Sequence, residues 1–444
     1  MATTTYQLFN RFVTNYTLGK LFYNIFLFLY SIAIRIAALW NPKAKKWLQG
    51  RKDPFATINS KLQTLNSKLL WMHCASLGEF EQGRPLLESI RKKDPDLKVV
   101  LTFFSPSGYE TMKDYKGADH IFYLPMDSPS NAARFIDAIK PSLVLWVKYE
   151  YWFYYLDELK RRNIPVILVS GIFRADQPFF KWYGGIWRKM LSCFTHFFVQ
   201  NEESKTLLES INVTQGITIN GDTRFDRVIE IAKNFQPISS IDEFCGGATV
   251  IVAGSTWEED EVELLHYVKM NPRIKFIIAP HEIDSSKLAS VKKEFPNSVF
   301  YSELLPTHRA LRATNYQIPA SPNVLIIDNI GMLSTLYKYA TIAYVGGGFG
   351  TDGVHNVLEA AVYGMPVVFG PEYEKYEEAI GLLEAGGGES ISGPLGLEKV
   401  MTDLLNNERT RVQKGVAAKD FVYSNTGASE KIMSFIQEKR LLTS

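Results

Sequence analysis

The segment VGGGFGTDGVHNVLE, residues 345–359, is the most informative stretch of this sequence. An apolar run enters three consecutive glycines and then a helical pattern, which predicts a strand, a tight loop and a helix. Gly348, Gly350 and Gly353 formally match the dinucleotide motif G-x-G-x-x-G, but the segment lies late in the chain and its predicted helix is short. We therefore expect backbone N–H groups of the loop to meet a phosphate, and Glu359 to bind the ribose of a nucleotide sugar.

The same alternation of short apolar runs and amphipathic stretches extends outward from this segment, beginning at residue 69. Such a rhythm is typical of βαβ units and parallel sheets. A stretch rich in Pro, Ser, Asp and Gly at 236–247 predicts a linker. The predicted strands are Leu70–Cys74, Val99–Phe103, Leu143–Trp146, Val166–Val169, Phe197–Val199, Val250–Ala253, Phe276–Ala279, Val324–Ile327, Ile342–Val345 and Val367–Phe369.

The first fifty residues differ in charge from the rest of the chain and are treated as a separate segment. Residues 1–52 carry eight basic side chains and no acidic one. Within 21–40, 17 of 20 residues are apolar or aromatic, which is close to the length that a bilayer-crossing helix needs. Lys20, Asn24, Ser31 and Arg35 fall on one helical stripe, so an in-plane amphipathic helix is equally compatible. We predict a membrane anchor, either spanning or monotopic, with the residues after 41 in the cytoplasm.

Composition narrows the class of protein further. The chain has 444 residues, enough for two domains, and 46% of them are hydrophobic. Outside residues 1–52 the net charge is −6, which is a poor match for binding nucleic acid. Three distant cysteines and scattered histidines predict neither disulfides nor a metal site. We expect three segments: the anchor and basic flank at 1–50, a domain at 51–235, and a domain at 236–444 that ends in a helix.

Two loops in the first half carry candidate catalytic residues. Glu79 follows a predicted strand and opens a helix, so it is either the general base of a reaction or part of a capping box with Ser76. Glu150 lies beside Lys148 in an aromatic run, as part of a buried ion pair or of a surface for an amphipathic partner. Arg224 follows an apolar run and is either a turn residue or a fixed cation for phosphate or carboxylate.

Loops in the second half predict a nucleotide-binding site, because ligands of open α/β sheets bind beyond the carboxyl ends of strands. Each loop also has a structural interpretation, as a helix cap or a turn. The candidate residues that follow predicted strands are Ser255, Thr256, Pro280, His281, Ile330, Gly331, Met332, Gly347, Gly348, Asn356, Val357, Leu358 and Glu359.

Several motifs occur in an order that resembles one known family. They are Ala-Ser-Leu-Gly-Glu at 75–79, Tyr-Glu-Tyr-Trp at 149–152, Gly-Asp-Thr-Arg-Phe-Asp at 221–226, Gly-Ser-Thr at 254–256, Gly-Gly-Gly-Phe-Gly at 346–350 and His-Asn-Val-Leu-Glu at 355–359. In this order they are similar to the transferases of 3-deoxy-D-manno-oct-2-ulosonic acid (Kdo) in lipopolysaccharide synthesis. The resemblance covers essentially the whole chain, including the N-terminal anchor.

The resemblance implies a GT-B fold, in which two Rossmann-like domains face a cleft, and an inverting transfer of Kdo from CMP-Kdo to a lipid A precursor without metal or cofactor. By position, Glu79 matches the proton acceptor, and Glu150 and Arg224 match residues that stabilise the transition state. Pro280 and His281, 330–332 and 356–359 match segments that contact CMP. The family usually has a glutamate where Lys148 stands. The implied location is the cytoplasmic face of the inner membrane, in contact with its lipids.

Two alternatives remain open from the sequence. The chain could be another membrane-associated GT-B glycosyltransferase that uses a different nucleotide sugar. It could also be a non-catalytic, membrane-anchored scaffold that binds nucleotides. A comparison of the binding of CMP, UDP and GDP distinguishes the first alternative from a Kdo transferase. Replacement of Glu79 distinguishes the second, because a scaffold would keep its function without this residue.

Overall fold

The computed structural model of the protein describes residues 2–62, 68–148, 150–305 and 321–442. The chain divides into two compact units, the first formed by residues 1–227 and 427–444 and the second by residues 228–426. Each unit contains one seven-stranded sheet in which all observed pairings are parallel. The two Rossmann-like sheets that the sequence predicts are therefore confirmed.

The first sheet has the strand order β3-β2-β1-β4-β5-β6-β7. Its strands are β1 (Leu69–Cys74), β2 (Lys98–Phe103), β3 (His120–Tyr123), β4 (Leu143–Val147), β5 (Val166–Gly171), β6 (His196–Val199) and β7 (Ile217–Ile219). The second sheet has the order β10-β11-β9-β8-β12-β13-β14. Its strands are β8 (Val250–Thr256), β9 (Lys275–Pro280), β10 (Ser298–Phe300), β11 (Val324–Ile326), β12 (Ile342–Val345), β13 (Val367–Phe369) and β14 (Gly388–Ser390).

Helices precede, connect and cover these strands. Those before residue 228 are α1 (Ala2–Ala37), α2 (Pro42–Gln49), α3 (Pro54–Leu62), α4 (Leu77–Lys93), α5 (Pro106–Met112), α6 (Pro129–Ile139), α7 (Phe153–Arg161), α8 (Gly185–Leu191), α9 (Glu202–Ser210) and α10 (Thr223–Lys233). The later ones are α11 (Ser239–Cys245), α12 (Glu258–Met270), α13 (Ser285–Glu294), α14 (Tyr301–Leu304), α15 (Leu333–Leu336), α16 (Leu358–Ala361), α17 (Glu377–Glu384), α18 (Pro394–Asn406), α19 (Glu408–Ser424) and α20 (Ala428–Glu438).

The segment 236–247, predicted as a linker, contains the short helix α11. The Pro, Ser, Asp and Gly residues of the segment made it look like a linker. The helix is formed around three apolar residues that it buries, Ile241, Phe244 and Cys245. Gly246 ends the helix in the left-handed conformation, with φ of 53°. The Pro and Gly signals therefore mark the two ends of a helix within this segment.

The terminal helix α20 was assigned to the second domain from the sequence, but in the structure it belongs to the first unit. Its buried residues Ile432, Met433 and Ile436 join the hydrophobic cluster that contains residues of α4. The Asp226 carboxylate accepts hydrogen bonds from the backbone N–H groups of Gly427 and Ser429, both at 2.6 Å. The apolar face of α20 explains this position, since it completes the core on one side of the first sheet.

The long helix α1 packs against the first unit along one face. The Tyr23 hydroxyl donates to the buried Asp127 carboxylate at 2.6 Å, and the Tyr154 hydroxyl donates to Asn24 Oδ1 at 2.7 Å. The Lys20 ammonium lies 5.4 Å from the centre of the Phe153 ring. The polar stripe predicted from the sequence therefore faces protein over Lys20 and Asn24.

The opposite face of α1 is exposed and apolar. Its exposed residues are Leu18, Leu21, Phe22, Ile25, Phe26, Phe28, Leu29, Ile32 and Ile36. The segment Thr17–Ala37 is long and apolar enough to cross a membrane, with a mean hydropathy of 1.5. Within its most apolar 18-residue window only 6% of the residues are buried, whereas the core helix of a soluble domain is mostly buried.

Candidate functional site

In the first sheet, the strand order reverses between β1 and β4, which pair directly. Such a switch point is where ligands bind in open α/β sheets, because the loops after the two strands diverge there. Glu79 lies in the first turn after β1, and Glu150 lies three residues after β4 ends. The topology therefore places the two predicted carboxyl groups on the two loops that border the switch point.

Glu79 is buried, with 8% of its surface exposed, and its carboxylate accepts a hydrogen bond from the Ala75 N–H group. The Ser76 hydroxyl accepts from the Glu79 N–H group at 3.4 Å, which is half of the predicted capping box. The recorded carboxylate bond goes to Ala75, one residue before the cap, so it ties the strand end to the helix start. Glu79 is thus held in a fixed position at the switch point.

Glu150 has an unusual protonation equilibrium. Burial and the negative charge of Glu79 raise the pKa of Glu150 to about 8, although a hydrogen bond from Trp152 Nε1 at 3.0 Å opposes the rise. Trp146 Nε1 also donates to the Glu150 backbone carbonyl and fixes the loop. Glu150 therefore keeps its proton at neutral pH. Environments that separate the acidities of neighbouring carboxyl groups are typical of catalytic sites.

His73 lies close to Glu150, and it is not among the residues predicted from the sequence. It is fully buried in β1, and burial lowers its pKa to about 3, so the ring is neutral. Its Nδ1 lies 2.9 Å from the Thr102 hydroxyl, and its Nε2 lies 3.9 Å from Glu150 Oε2. An alternating strand pattern cannot distinguish a histidine that supports a site from one that fills a core.

Arg224 forms an ion pair with Asp222, at 2.8 Å between Nη2 and Oδ2. Burial opposes ionisation of Asp222, but the charges of Arg224 and Lys148 hold its pKa below the usual value. The Gln82 amide oxygen, in the orientation that its neighbours require, accepts from Lys148 Nζ at 2.8 Å and Arg224 Nε at 3.3 Å. Lys148, for which an ion pair with Glu150 is one of the two expectations from the sequence, takes part in this cluster. Arg224 is a cation fixed in position, as the functional interpretation of its motif requires.

The pKa of Glu150 leads to a prediction about stability. Because the folded-state pKa is about 8 and the ordinary value is 4.5, the folded protein binds the extra proton between these values, and its free energy of unfolding falls as the pH rises. Glu150→Gln cannot titrate. Its stability relative to wild type should therefore increase from about pH 5 to pH 8.5 by about 1–2 kcal/mol, after allowance for solvent screening. Urea unfolding of both proteins measures this difference, and a pH-independent difference would contradict the assignment.

In the second sheet, the order reverses between β8 and β12, which also pair directly. The loop after β12 begins at Gly346, and the β8 strand ends at Ser255 and Thr256. A Cβ atom on Gly346 would lie 2.4 Å from the Ser255 carbonyl oxygen, so only glycine permits this approach. The glycine-rich segment 345–359 therefore begins at the switch point of the second sheet.

Much of the backbone of this loop is already hydrogen-bonded. The Gly346 N–H group donates to the Gly254 carbonyl at 2.9 Å, and the Gly350 N–H group donates to the Gly347 carbonyl at 3.0 Å. The Gly347 N–H group donates to the buried Asp260 carboxylate at 2.8 Å. We had expected these N–H groups to meet a phosphate; at 346, 347 and 350 they instead fix the shape of the loop.

Three aromatic rings stack beside the loop. The His281 ring centroid lies 4.6 Å from that of Trp257 and 4.4 Å from that of His355. Trp257 Nε1 donates to His355 Nε2 at 2.9 Å, which requires that nitrogen to be unprotonated. Burial and the charge of His281 lower the pKa of His355 to about 4. The sequence predicted His281 at the site, whereas Trp257 and His355 were not selected.

The remaining candidates differ in exposure. Asn356 Nδ2 donates to Glu359 Oε1 at 3.2 Å, and both side chains are half-buried at the start of α16. Ile330 is exposed, and Gly331 beside it has a φ of 97°. Val357 and Leu358 have no exposed surface, so of this segment only Asn356 and Glu359 offer side chains to a ligand.

Thr256 and Pro280 are also buried, and the Thr256 hydroxyl donates to Glu261 at 3.0 Å. Ser255, at the end of the same strand, is half-buried, and Gly348 is buried, where a Cβ atom would lie 2.6 Å from the Gly370 nitrogen. Met332 is half-buried and is the N-cap residue of α15. Among the described residues, no group of three His, Cys, Asp or Glu side chains is arranged to hold a metal ion.

The fold of the chain resembles that of several solved structures. The UDP-GlcNAc 2-epimerase from Neisseria meningitidis aligns with 84% of this chain and 100% of its own, at 16% identity and a TM-score of 0.58. MurG from Acinetobacter baumannii aligns with 84% of this chain and 99% of its own, at 12% identity and a TM-score of 0.51. Likeness at this level of identity establishes the fold, which is that of the GT-B glycosyltransferase class.

Sequence comparison identifies the family within that class. Residues 49–227 match the family model described as 3-deoxy-D-manno-octulosonic-acid transferase. The Kdo transferase of Haemophilus influenzae is 25% identical over 83% of this chain and 86% of its own length, and that of Aquifex aeolicus is 27% identical over 78% and 90%. These matches support a Kdo transferase, as the motifs of the sequence predict.

A longer relative also matches the chain. A bifunctional glycosyltransferase/methyltransferase of Fusobacterium nucleatum is 26% identical over 93% of this chain. The match spans 62% of that relative's length. The likeness therefore covers only part of that bifunctional protein.

Proposed function

We propose that the protein transfers Kdo from CMP-Kdo to a hydroxyl group of a lipid A precursor, with inversion at the anomeric carbon and release of CMP. The likeness to Kdo transferases supports the sugar, and the arrangement of the first unit supports the chemistry. The observation that carries the proposal is the position of Glu79 and Glu150 on the two loops at the switch point of the first sheet. A non-catalytic scaffold would have no need to raise the pKa of one carboxyl group beside another.

Each of the three candidate catalytic residues of the first unit has a role in this proposal. The acceptor hydroxyl is a poor nucleophile, so Glu79 takes its proton as the oxygen attacks the anomeric carbon. Glu150, protonated at neutral pH, donates a hydrogen bond to an anionic group of the reactants. Arg224, fixed by Asp222, stabilises the negative charge that develops as the phosphate leaves.

The second unit is proposed to bind the donor. The exposed ring of His281 and the polar side chains of Asn356 and Glu359 are the groups that a nucleotide can reach. Glu359 can accept hydrogen bonds from the ribose hydroxyls, and the N–H groups of the glycine loop that remain available can meet phosphate. Binding measurements with CMP, UDP and GDP separate this assignment from a glycosyltransferase with another donor.

The decisive experiment is incubation of the protein with CMP-Kdo and a lipid A precursor. The expected result is release of CMP together with a mass increase in the lipid that corresponds to one or more Kdo residues. Release of CMP without a heavier lipid would indicate hydrolysis of the donor. Neither product, with a folded protein, would contradict the proposed function.

Glu359→Gln tests the donor assignment. An amide cannot form the charge-assisted hydrogen bonds of a carboxylate to two ribose hydroxyls, so the Michaelis constant for the donor should rise about tenfold. Glu258→Gln is the matched control, because Glu258 is an exposed acid in the first turn of α12 in the same unit. Unchanged CMP binding by calorimetry in the Glu359 variant would remove this residue from the donor site.

We also propose that α1 attaches the protein to the cytoplasmic face of the inner membrane as a monotopic helix. Contacts with the first unit run from Lys20 to Ile34, including the buried Tyr23 and Leu27. A helix perpendicular to the bilayer would draw the polar groups packed along this face into hydrocarbon. A helix in the plane of the interface lets its exposed apolar face enter the membrane while the domain stays in water.

A further inference from the structure

A cavity of about 340 Å³ opens in the first unit beside the C-terminal end of α1. Its lining includes Ser31 and Arg35 of α1, Arg51 and Lys52 from the segment after α2, and Arg134 of α6. One acidic residue, Asp53, also lines it. Four cations against one carboxylate make the cavity strongly basic.

The acid does not neutralise these cations by direct pairing. Asp53 accepts a hydrogen bond from the Ala56 N–H group at 3.2 Å. Within the described part of the chain, Arg35, Lys52 and Arg134 form no salt bridge with a carboxylate, and all three are exposed. The Arg134 guanidinium stacks over the Phe55 ring at 3.8 Å, a cation–π contact that orients it and leaves its positive charge without a carboxylate partner among the described residues to neutralise it.

Arg51 has a different role in the wall of the cavity. Its guanidinium donates to the carbonyls of Leu124 and Phe104, both at 2.8 Å, and stacks over Trp47 at 4.0 Å. Burial lowers its pKa to about 10, so it remains charged at neutral pH. Arg51 therefore supplies a permanent positive charge to the wall while it holds the α2–α3 segment in place.

The position of the cavity determines which anion can reach it. Arg35 lies in the last turn of α1, between the exposed apolar residues Ile32 and Ile36. A membrane that takes up this face brings Arg35 to the level of the lipid headgroups, where long basic side chains reach toward phosphate. Leu39 and Trp40, both highly exposed, follow immediately and mark the same level.

We propose that this cavity binds the phosphate of one anionic membrane phospholipid. Arg35 and Arg134 contact the phosphate oxygens, Lys52 adds charge at the entrance, and Arg51 provides the positive wall. The acyl chains lie along the exposed face of α1. The proposal rests on the membrane attachment assigned to α1 above, and it does not depend on the glycosyl transfer.

The first test is calorimetry with short-chain dihexanoyl-phosphatidylglycerol below its micelle concentration. The full-length protein in neutral detergent should bind it saturably with one-to-one stoichiometry, and should not bind dihexanoyl-phosphatidylcholine. In Arg35→Gln/Arg134→Gln the affinity should fall about 30-fold, as expected for two charges near an anionic headgroup. Equal affinity of wild type for inorganic phosphate and for the short-chain lipid would overturn the lipid as the source of the phosphate.

Lys43→Gln/Lys45→Gln is the matched control. These lysines are exposed in the same basic segment and carry the same total charge, but they do not line the cavity. A loss of affinity as large as that of the arginine pair would show diffuse attraction and overturn the proposal. A higher Michaelis constant for the lipid acceptor in the arginine pair, with unchanged binding of the short-chain lipid, would assign the cavity to the acceptor instead and also overturn it.

Vesicle sedimentation separates the cavity from the anchor. Phe22→Glu/Phe26→Glu disrupts the exposed face of α1 and should abolish binding to vesicles of phosphatidylcholine and of phosphatidylglycerol alike. The arginine pair should retain binding to phosphatidylcholine vesicles and lose the preference for phosphatidylglycerol. If the phenylalanine variant binds normally, the membrane attachment is wrong and the proposal fails with it. If the arginine pair keeps the wild-type preference, only the cavity assignment fails.

Discussion

Glu79→Gln should reduce turnover by about 10²–10⁴ while the protein remains folded, because an amide cannot accept the proton of the attacking hydroxyl. The substitution preserves the shape of the side chain and one oxygen that can accept from the Ala75 N–H group. The loss should therefore appear in turnover and leave donor binding unchanged. Steady-state rates with saturating donor and acceptor, together with calorimetric binding of CMP, measure the two quantities separately.

Two controls separate catalysis from the helix cap. Ser76→Ala removes the cap hydroxyl, which accepts from the Glu79 N–H group, and should cost about 1 kcal/mol of stability with little effect on turnover. Glu81→Gln removes an acid from the same helix that pairs with Arg84 and Arg227 instead. If Ser76→Ala lowers turnover as much as Glu79→Gln, the role of Glu79 is structural.

The Glu79 variant also makes a second measurement possible. Because the charge of Glu79 contributes to the raised pKa of Glu150, its removal should shift that pKa downward. The pH at which Glu150 titrates, followed by NMR of the labelled carboxyl carbon, should therefore fall in Glu79→Gln. The turnover of Glu79→Gln tests the assignment of the base itself. If this variant retains more than about a tenth of the wild-type turnover, Glu79 is not the general base and Glu150 becomes the next candidate.

The central strands were predictable from the sequence, and the strands that it missed share a physical property. β1, β4, β8 and β12 are buried on both faces, so they appear as continuous apolar runs. The four missed strands are β3, β7, β10 and β14. β7 has no buried residue, and each of the four lies at or near an edge of its sheet, where short mixed sequences form only against a neighbour.

The site was predictable where chemistry requires a particular residue on a loop. Glu79, Glu150 and Arg224 are polar groups that follow apolar runs, and the structure brings all three to the carboxyl ends of strands of the first sheet. His73 and Asp260 were not predictable, because their roles depend on contacts made across the sheet or between a helix and a loop. The spacing of apolar residues in a sequence indicates whether a segment is a helix or a strand. It does not indicate which distant residues the side chains of that segment contact.

Asp260 supports the largest expected effect on stability. It is completely buried, and its carboxylate accepts from the Gly347 N–H group at 2.8 Å, the Trp257 N–H group at 2.9 Å and the Tyr344 hydroxyl at 2.7 Å. Asp260→Ala would leave three donors without this acceptor in the interior. At about 1–3 kcal/mol for each unsatisfied group, the second unit should lose about 3–5 kcal/mol.

Amide hydrogen exchange of the full-length Asp260→Ala protein measures this loss directly. Amides of β8 and β12 that exchange by global opening of the second unit should exchange about 150- to 5,000-fold faster, which is the same free energy expressed as a ratio. Amides of β1 and β4 in the first unit serve as the internal reference.

Tyr344→Phe removes only one of the three bonds and should cost about 1 kcal/mol. Asp284→Ala is the matched control, because that carboxylate caps the exposed start of α13 and should also cost about 1 kcal/mol. If Asp260→Ala costs no more than these two, the glycine loop does not depend on Asp260. A loss in the expected range would mean that the buried Asp260 carboxylate sets the shape of the glycine loop.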